Sequence, residues 1–533
     1  MKKMSPMRWC LMACAAFTLL AVAALGGRWR DLRLARQAAM EDRSPRLEPD
    51  YRDTTIPPNL SPLNFRIAET GSFFHVVARA EHGRPIELAS HAPLIAFPEK
   101  AWRRLLTANK GGEVYFDIGV KTEDKSWRRF RWITNRIAPE DIDSHLIYRK
   151  IHPSHNTWSS MGIYQRDLRS FRETPVLENK KFGNDCCHCH ALCNNNPANT
   201  SLDIRSSKYG NSLLLINRNT VINAAGTVGF SAWHPSGRLL ACSFNKPRLL
   251  LHGAKNDMRD IVELEGWLGY FFLDNLEVRR IPGLSDDNRL LTFPCWSPDG
   301  GHLYFCSSPN PWIVPGKTRN QNYQEIKFDL RRVAYDIEHD RWGEVKTILA
   351  ARDTGLSIVQ PRVSPDGRWL TFGLCDYGCW ATYHPESDLG ILDLKSAGED
   401  GRYAWRKMEI NSTECESWHS WSSNSRWIVF SSKRGNPLFS RPYLAYVTDA
   451  GRLRKPLLVP QRDPSFYDSY LKTYTIPTLA TGPFGVDADK LARVVKSPKR
   501  QILSMPPPRS QSARALEEAN LLDPVSNDAG KQQ

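Results

Sequence analysis

At 533 residues the chain exceeds any peptide or single small module and is long enough for two or three domains, each with its own core. Its 41% hydrophobic content, with 17 Trp, 21 Phe and 17 Tyr, supplies the side chains those cores need. The formal charge of +15 is scattered among segments that read as strands, with no single basic helix or block, which argues against a nucleic-acid partner and for a solvated basic surface.

Residues 1–27 begin with Lys2, Lys3 and Arg8, continue as an apolar run from Trp9 to Leu25 and end in Gly26-Gly27. This is the layout of a secretory signal, and the same hydrophobicity also suits a retained membrane anchor. Either reading takes the chain out of the cytoplasm. Residues 28–60 are polar and Arg-rich and read as a linker. Over 61–150 short aromatic or β-branched runs, such as Phe73–Val77, Val114–Ile118 and Phe130–Ile133, alternate with turn residues, which predicts a small β-sandwich-like domain with one short helix at Ala101–Ala108. Residues 151–207 have little periodicity, hold most of the clustered cysteines and read as a loop region that carries the chemistry.

Residues 208–482 repeat. Four units align on Trp233-His-Pro-Ser-Gly, Trp296-Ser-Pro-Asp-Gly, Val363-Ser-Pro-Asp-Gly and Trp421-Ser-Ser-Asn-Ser, each followed by an alternating strand. Ser-Pro-Asp-Gly reverses a chain because Pro presets φ, Asp caps its own turn and Gly tolerates positive φ. With further strand pairs between the units, the pattern predicts an all-β chain whose main body is a β-propeller of five to seven blades. From Phe230 to Arg434 the repeats resemble the TolB-type propeller family. Residues 483–533, rich in Pro, Ser, Lys and Arg, read as a disordered tail.

One segment names a reaction partner. Cys186-x-x-Cys189-His190 is the attachment pattern of c-type haem: two thiols at this spacing reach the two vinyl groups of one porphyrin, and His190 then lies under the iron as proximal ligand. A zinc site built from Cys186, Cys187, His188, Cys189, His190 or Cys193 competes, but no second Cys-x-x-Cys supplies the other ligand pair. Disulfides among these cysteines compete as well. Met161 is the candidate distal ligand, with His152, His155 and His188 near in sequence; the alternative for Met161 is a core methionine. His234, His302 and His419 sit in or beside blade turns and read as satisfied structural histidines, and Glu414, Glu416 and Asp388 as surface or turn chemistry. No Gly-x-Ser-x-Gly follows the last repeat, which argues against a peptidase.

Between Pro62 and Gly482 the chain is also similar to a family of exported bacterial proteins that join a small β-domain, a haem-type motif and TolB-like blades. The residues that carry this are Pro62–Ile67, Met161–Arg166, Cys186–His190, Trp418–Trp427 and Arg441–Tyr446. The resemblance implies one haem c on Cys186, Cys189 and His190, a periplasmic or envelope location, and electron transfer with a protein redox partner there. The alternative expectation is a non-catalytic TolB-like interaction scaffold with a disulfide- or metal-stapled cysteine loop. An enzyme is not expected.

Overall fold

The computed structural model describes residues 30–153, 160–218, 220–251, 259–284, 288–313, 323–399 and 401–507. The signal or anchor at 1–27, His155 and most of the expected tail lie outside the described residues. Among them no helix is long and apolar enough to cross a membrane. The chain forms two compact units: residues 1–144 with 166–173 and 443–471, and residues 145–165 with 174–442 and 472–533.

In the first unit, strands Phe73–Ala80 and Glu113–Lys121 pair antiparallel along their whole lengths within a seven-stranded sheet. Helix α1 (Glu99–Ala108) places Trp102, Leu105 and Leu106 on one stripe, spaced to face the sheet's core. Phe65, Phe97, Trp102 and Phe116 form a ring cluster with centroids between 5.1 and 6.2 Å apart. Because Trp102 is fully buried, Trp102→Ala should cost about 3–5 kcal/mol, read as a shift of the urea midpoint at unchanged slope. The stretch expected as a linker is folded in: Met40–Glu41 and Thr55–Ile56 join the sheet as parallel edges, and Tyr51 is buried with its hydroxyl donated to the Leu458 carbonyl. Its apolar residues are few, but Tyr51, Ile56 and Leu60 are all spent on this core.

The main body consists of six successive sheets, each with one strand at the inner edge. The inner strands are β1 (Cys186–Cys193), β2 (Ser231–Trp233), β3 (Arg289–Trp296), β4 (Ser357–Val363), β5 (Glu416–Trp421) and β6 (Thr473–Ala480). Each touches the next in chain order, and β6 also touches β1. From its inner strand each sheet runs outward through antiparallel neighbours, as β3 does through His302–Pro309, Asp329–Asp336 and Arg341–Leu349. Strand β6 pairs with His145–Ile151, so one sheet joins an early and a late part of the chain. This is the blade pattern of a β-propeller, and six lies within the expected five to seven.

The repeated turns fold alike. The residue before each turn's proline or its counterpart, His234, Ser297, Ser364 or Ser422, receives a hydrogen bond at its carbonyl three residues on. The donor has positive φ in each case: Gly237, Gly300, Gly367 and, where the sequence lacks Gly, Ser425. The tryptophans before three of these turns tie neighbouring sheets, because each indole donates to a carbonyl of the preceding inner strand: Trp233 to Ala191 (3.2 Å), Trp296 to Ala232 (3.2 Å) and Trp421 to Arg362 (3.3 Å).

Two stretches depart from expectation. Residues 151–207 contain strands Gly162–Asp167, Glu173–Glu178, β1 and Asn196–Arg205. Their Cys, Asn and Thr residues hid the alternation, although Cys is as readily buried as a small hydrophobe. Beyond residue 482, helix α2 (Ala488–Lys496) buries Leu491, Ala492 and Val495 and is capped by Asp487, whose carboxylate accepts from Asp489 N and Lys490 N. A Leu-Ala-x-x-Val stripe in a basic segment was enough for one buried helix face.

Candidate functional site

The inner strands share an irregularity. Pairing shifts by a residue or more at Cys187/His190 in β1, Thr292/Cys295 in β3, Val359/Arg362 in β4 and Ser417/His419 in β5, and opposite β6 at Ile147/Arg149. At four of these bulges a bulky residue takes positive φ: Phe293 (51°), Gln360 (54°), Trp418 (45°) and Ile476 (53°). Such backbone is strained for a side chain of this size and persists only when packing holds it. Counting three residues back from Leu192, Trp233, Trp296, Val363, Trp421 and Leu479 superposes Cys189, Phe230, Phe293, Gln360, Trp418 and Ile476. All but the polar Gln360 pack into one hydrophobic cluster, with Trp380 and Tyr383. One residue further on, the equivalent positions hold His190, Ser231, Pro294, Pro361, His419 and Pro477.

Past the bulge the strands turn all of these but Pro361, together with their successors, into a cavity of about 370 Å³. Its lining includes His190, Arg362, Trp418, His419, Trp421 and Thr478. His190 Nε2 meets the Thr478 hydroxyl at 3.1 Å, while its Nδ1 has no partner. The Trp418 indole N–H has no partner, and the His419 ring has only the Thr371 backbone. Burial pushes His190 down to about 3, with the Arg149 and Arg362 guanidiniums adding to it. His419 is likewise pushed to about 3 by burial and by Arg362, with the Thr371 backbone opposing. Both rings are neutral at physiological pH. His419 keeps only the Thr371 backbone as partner, whereas His234 is held at both ring nitrogens: its Nδ1 meets Ser236 Oγ at 2.8 Å and its Nε2 the Gly300 carbonyl at 3.3 Å.

The residues of the haem-type motif part company. Cys186 and Cys187 pack with Met161, Phe182 and Leu202 in one core, Cys189 lies in the central cluster, and His190 faces the cavity. Met161 Sδ accepts from Cys187 N at 3.3 Å, so it lies on the Cys187 side and fits its reading as a core methionine. His188 lies within the bulge, its Nδ1 3.1 Å from Asp203 Oδ2 and its carbonyl held by Arg149 Nη1 at 2.6 Å. Cys186, Cys187, Cys189 and Cys193 are buried free thiols, and burial raises Cys189 to about 12. Among the described residues no group of three or more His, Cys, Asp or Glu could hold a metal ion. As folded, His190 suits a role as iron ligand, but the two thiols face different cores and do not present themselves to one porphyrin.

Behind the central cluster, Glu263 is buried and pushed up to about 7, chiefly by desolvation, against hydrogen bonds from Trp380 Nε1 (3.1 Å) and the Cys379 thiol. A carboxyl whose folded pKa exceeds its unfolded value favours folding below the unfolded pKa, and that advantage is lost as pH rises through the folded one. Stability should fall by roughly 3 kcal/mol between about pH 4.5 and about pH 8 from this group alone, and Glu263→Gln should remove that slope in denaturant titrations across the range. Glu416, expected as surface chemistry, is instead fully buried and paired with Arg434.

Comparison by sequence finds no matching family model and no matching curated protein. Among solved structures the chain is similar to TolB from Acinetobacter baumannii, at 15% identity and a TM-score of 0.40 over 69% of this chain and 79% of that one. It is also similar to a puromycin hydrolase (14%, TM-score 0.34, 59% of this chain and 45% of that one). An oligogalacturonate lyase from Vibrio parahaemolyticus matches at 11% and a TM-score of 0.33, over 72% of this chain and 100% of that one. The six sheets define the class: an all-β protein with a β-propeller as its main body. The particular features of this chain are the His190–His419 cavity and the split cysteine motif.

Proposed function

We propose that this protein is a non-catalytic, ligand-binding β-propeller of the cell envelope whose recognition site is the central cavity. The observation that carries the reading is the pair His190 and His419, at equivalent bulge positions of two sheets, buried and neutral beside the cavity, with His190 Nδ1 and the Trp418 indole N–H left without partners. Buried polar groups are ordinarily satisfied, and orphans gathered around one cavity mark a place where a ligand completes the hydrogen bonds. The envelope location rests on the basic and apolar layout of residues 1–27. A thermal-shift screen of small polar molecules tests the reading against the variant Ala232→Trp, which fills the cavity from β2. Ligands that raise the midpoint of the native protein alone support it; ligands that act equally on the filled variant, or none at all, overturn it.

The spacing of Cys186, Cys189 and His190 favours a second reading, one covalent haem c and electron transfer with an envelope partner. Both thiols would then have to come to one face of β1, leaving the cores that hold them. It requires a haem-stained band that survives denaturing electrophoresis after expression in a host competent for c-type maturation and that vanishes in the Cys186→Ala, Cys189→Ala double variant. A band-free protein removes it.

A further inference from the structure

The central cavity is electrically one-sided. Arg362 is the one cation in its lining, and among the described residues no carboxylate lines it or pairs with that guanidinium. Arg362 Nη1 donates to the neighbouring Pro361 carbonyl at 2.9 Å and the guanidinium also meets the Cys295 sulfur, a weak acceptor, which leaves part of the donor fork for a ligand. The Trp418 indole N–H has no partner, and the rest of the lining sets the indoles of Trp296 and Trp421 among polar residues such as Asn195, Ser231 and Thr478.

Resting on the reading of this cavity as the binding site, we propose that its ligand is a small monocarboxylate with an apolar body, the carboxylate on Arg362 and the body against the indoles. A planar guanidinium takes a carboxylate through two parallel hydrogen bonds, a geometry an ammonium cannot offer. One fixed cation balances one charge; a phosphate dianion would carry a second charge into a partly enclosed site with no second cation to meet it. The histidines do not supply that cation, since burial beside Arg362 keeps both rings neutral near pH 7 and leaves them as neutral donors or acceptors. The volume of about 370 Å³ is at the small end of ligand pockets, which suits a single-ring acid.

The test titrates the full chain with sodium benzoate, with benzamide as an uncharged molecule of the same shape, and with inorganic phosphate, followed by tryptophan fluorescence and calorimetry. Benzoate should bind at least tenfold more tightly than benzamide. Arg362→Gln should weaken benzoate roughly tenfold to a hundredfold at an unchanged thermal midpoint, with Arg362→Lys in between. Equal affinity for benzoate and benzamide overturns the anion inference and leaves the cavity as a site for neutral molecules. Phosphate binding as tightly as benzoate and lost in Arg362→Gln overturns the carboxylate class. Benzoate binding that Arg362→Gln leaves intact, or no benzoate binding at millimolar concentration, overturns the inference, and the filled variant Ala232→Trp then decides separately whether the cavity is a site at all.

Discussion

Acidification from about pH 7 to about pH 4 should destabilise the propeller by roughly 3 kcal/mol for each of His190 and His419, a sum comparable with the whole stability of many domains. The sign follows from the lowered folded pKa values of about 3. A base that is neutral when folded but protonates when unfolded gives stability present above the unfolded pKa and lost as pH falls towards the folded one. His188, lowered to about 4 by burial and by Arg205 against the opposing pull of Asp203, works in the same direction. The measurement is an acid titration of tryptophan fluorescence, repeated on the His190→Gln, His419→Gln double variant. The double variant should unfold at a distinctly lower pH; an identical midpoint would show that the two rings are solvated in solution and the cavity open.

The second large effect concerns Glu416, whose side chain is fully buried. It accepts from Ser412 N (2.9 Å), Ser412 Oγ (2.7 Å), Ser432 Oγ (2.7 Å) and Arg434 Nη2 (2.9 Å). Arg434→Met removes the only cation paired with this carboxylate among the described residues and strands a buried charge, which should cost about 3–5 kcal/mol. Glu416→Gln together with Arg434→Met leaves no charge to strand and should recover part of the loss. If the single variant unfolds at the native denaturant midpoint, the pair is solvated and the carboxylate is not structural. Glu416 precedes the Trp418 bulge by two residues, so the expected loss bears on the strand that delivers His419 to the cavity.

The repeats were legible because turn chemistry is local. Ser-Pro-Asp-Gly needs no partner to bend, and Trp233, Trp296 and Trp421 announce the strand before it. Inner strands β1 and β6 escaped, since Leu192 and Leu479 replace the tryptophan and no such turn follows them. Their equivalence with the others becomes visible only when the bulge is taken as the reference point, which puts Cys189 opposite Trp418 and His190 opposite His419. Aligning on the residues before the turn gives that register for β2 to β5 alone, and β1 and β6 lack the turn to align on. What no spacing could give is the direction of each thiol: the bulge between Cys187 and His190 breaks the alternation of β1, and Cys186 and Cys187 go to one core while Cys189 goes to another. The helix at Ala488–Lys496 was missed for a different reason, as one short apolar stripe carries little signal among flanking Pro and Lys residues.

The indole links also divide the boundaries between sheets unequally. At the cavity end they tie β2 to β1, β3 to β2 and β5 to β4, while the Asn195 side chain donates to the carbonyls of both Trp421 and Leu479 at 2.8 Å and so spans β5, β6 and the turn after β1. The boundary between β3 and β4 has Val363 where its neighbours carry tryptophan, and its ties at the cavity end run to sulfur: the Val363 N–H and the Arg362 guanidinium both meet Cys295. Sulfur accepts weakly, so this boundary is softest at the cavity end, where Arg362 stands, while away from it the Ile358 N–H on the Phe328 carbonyl (2.9 Å) and the Phe328 N–H on Ser357 Oγ (3.0 Å) hold the two sheets together. Amide exchange on the cavity side should therefore be fastest along that boundary, and occupancy of the cavity should slow it there first.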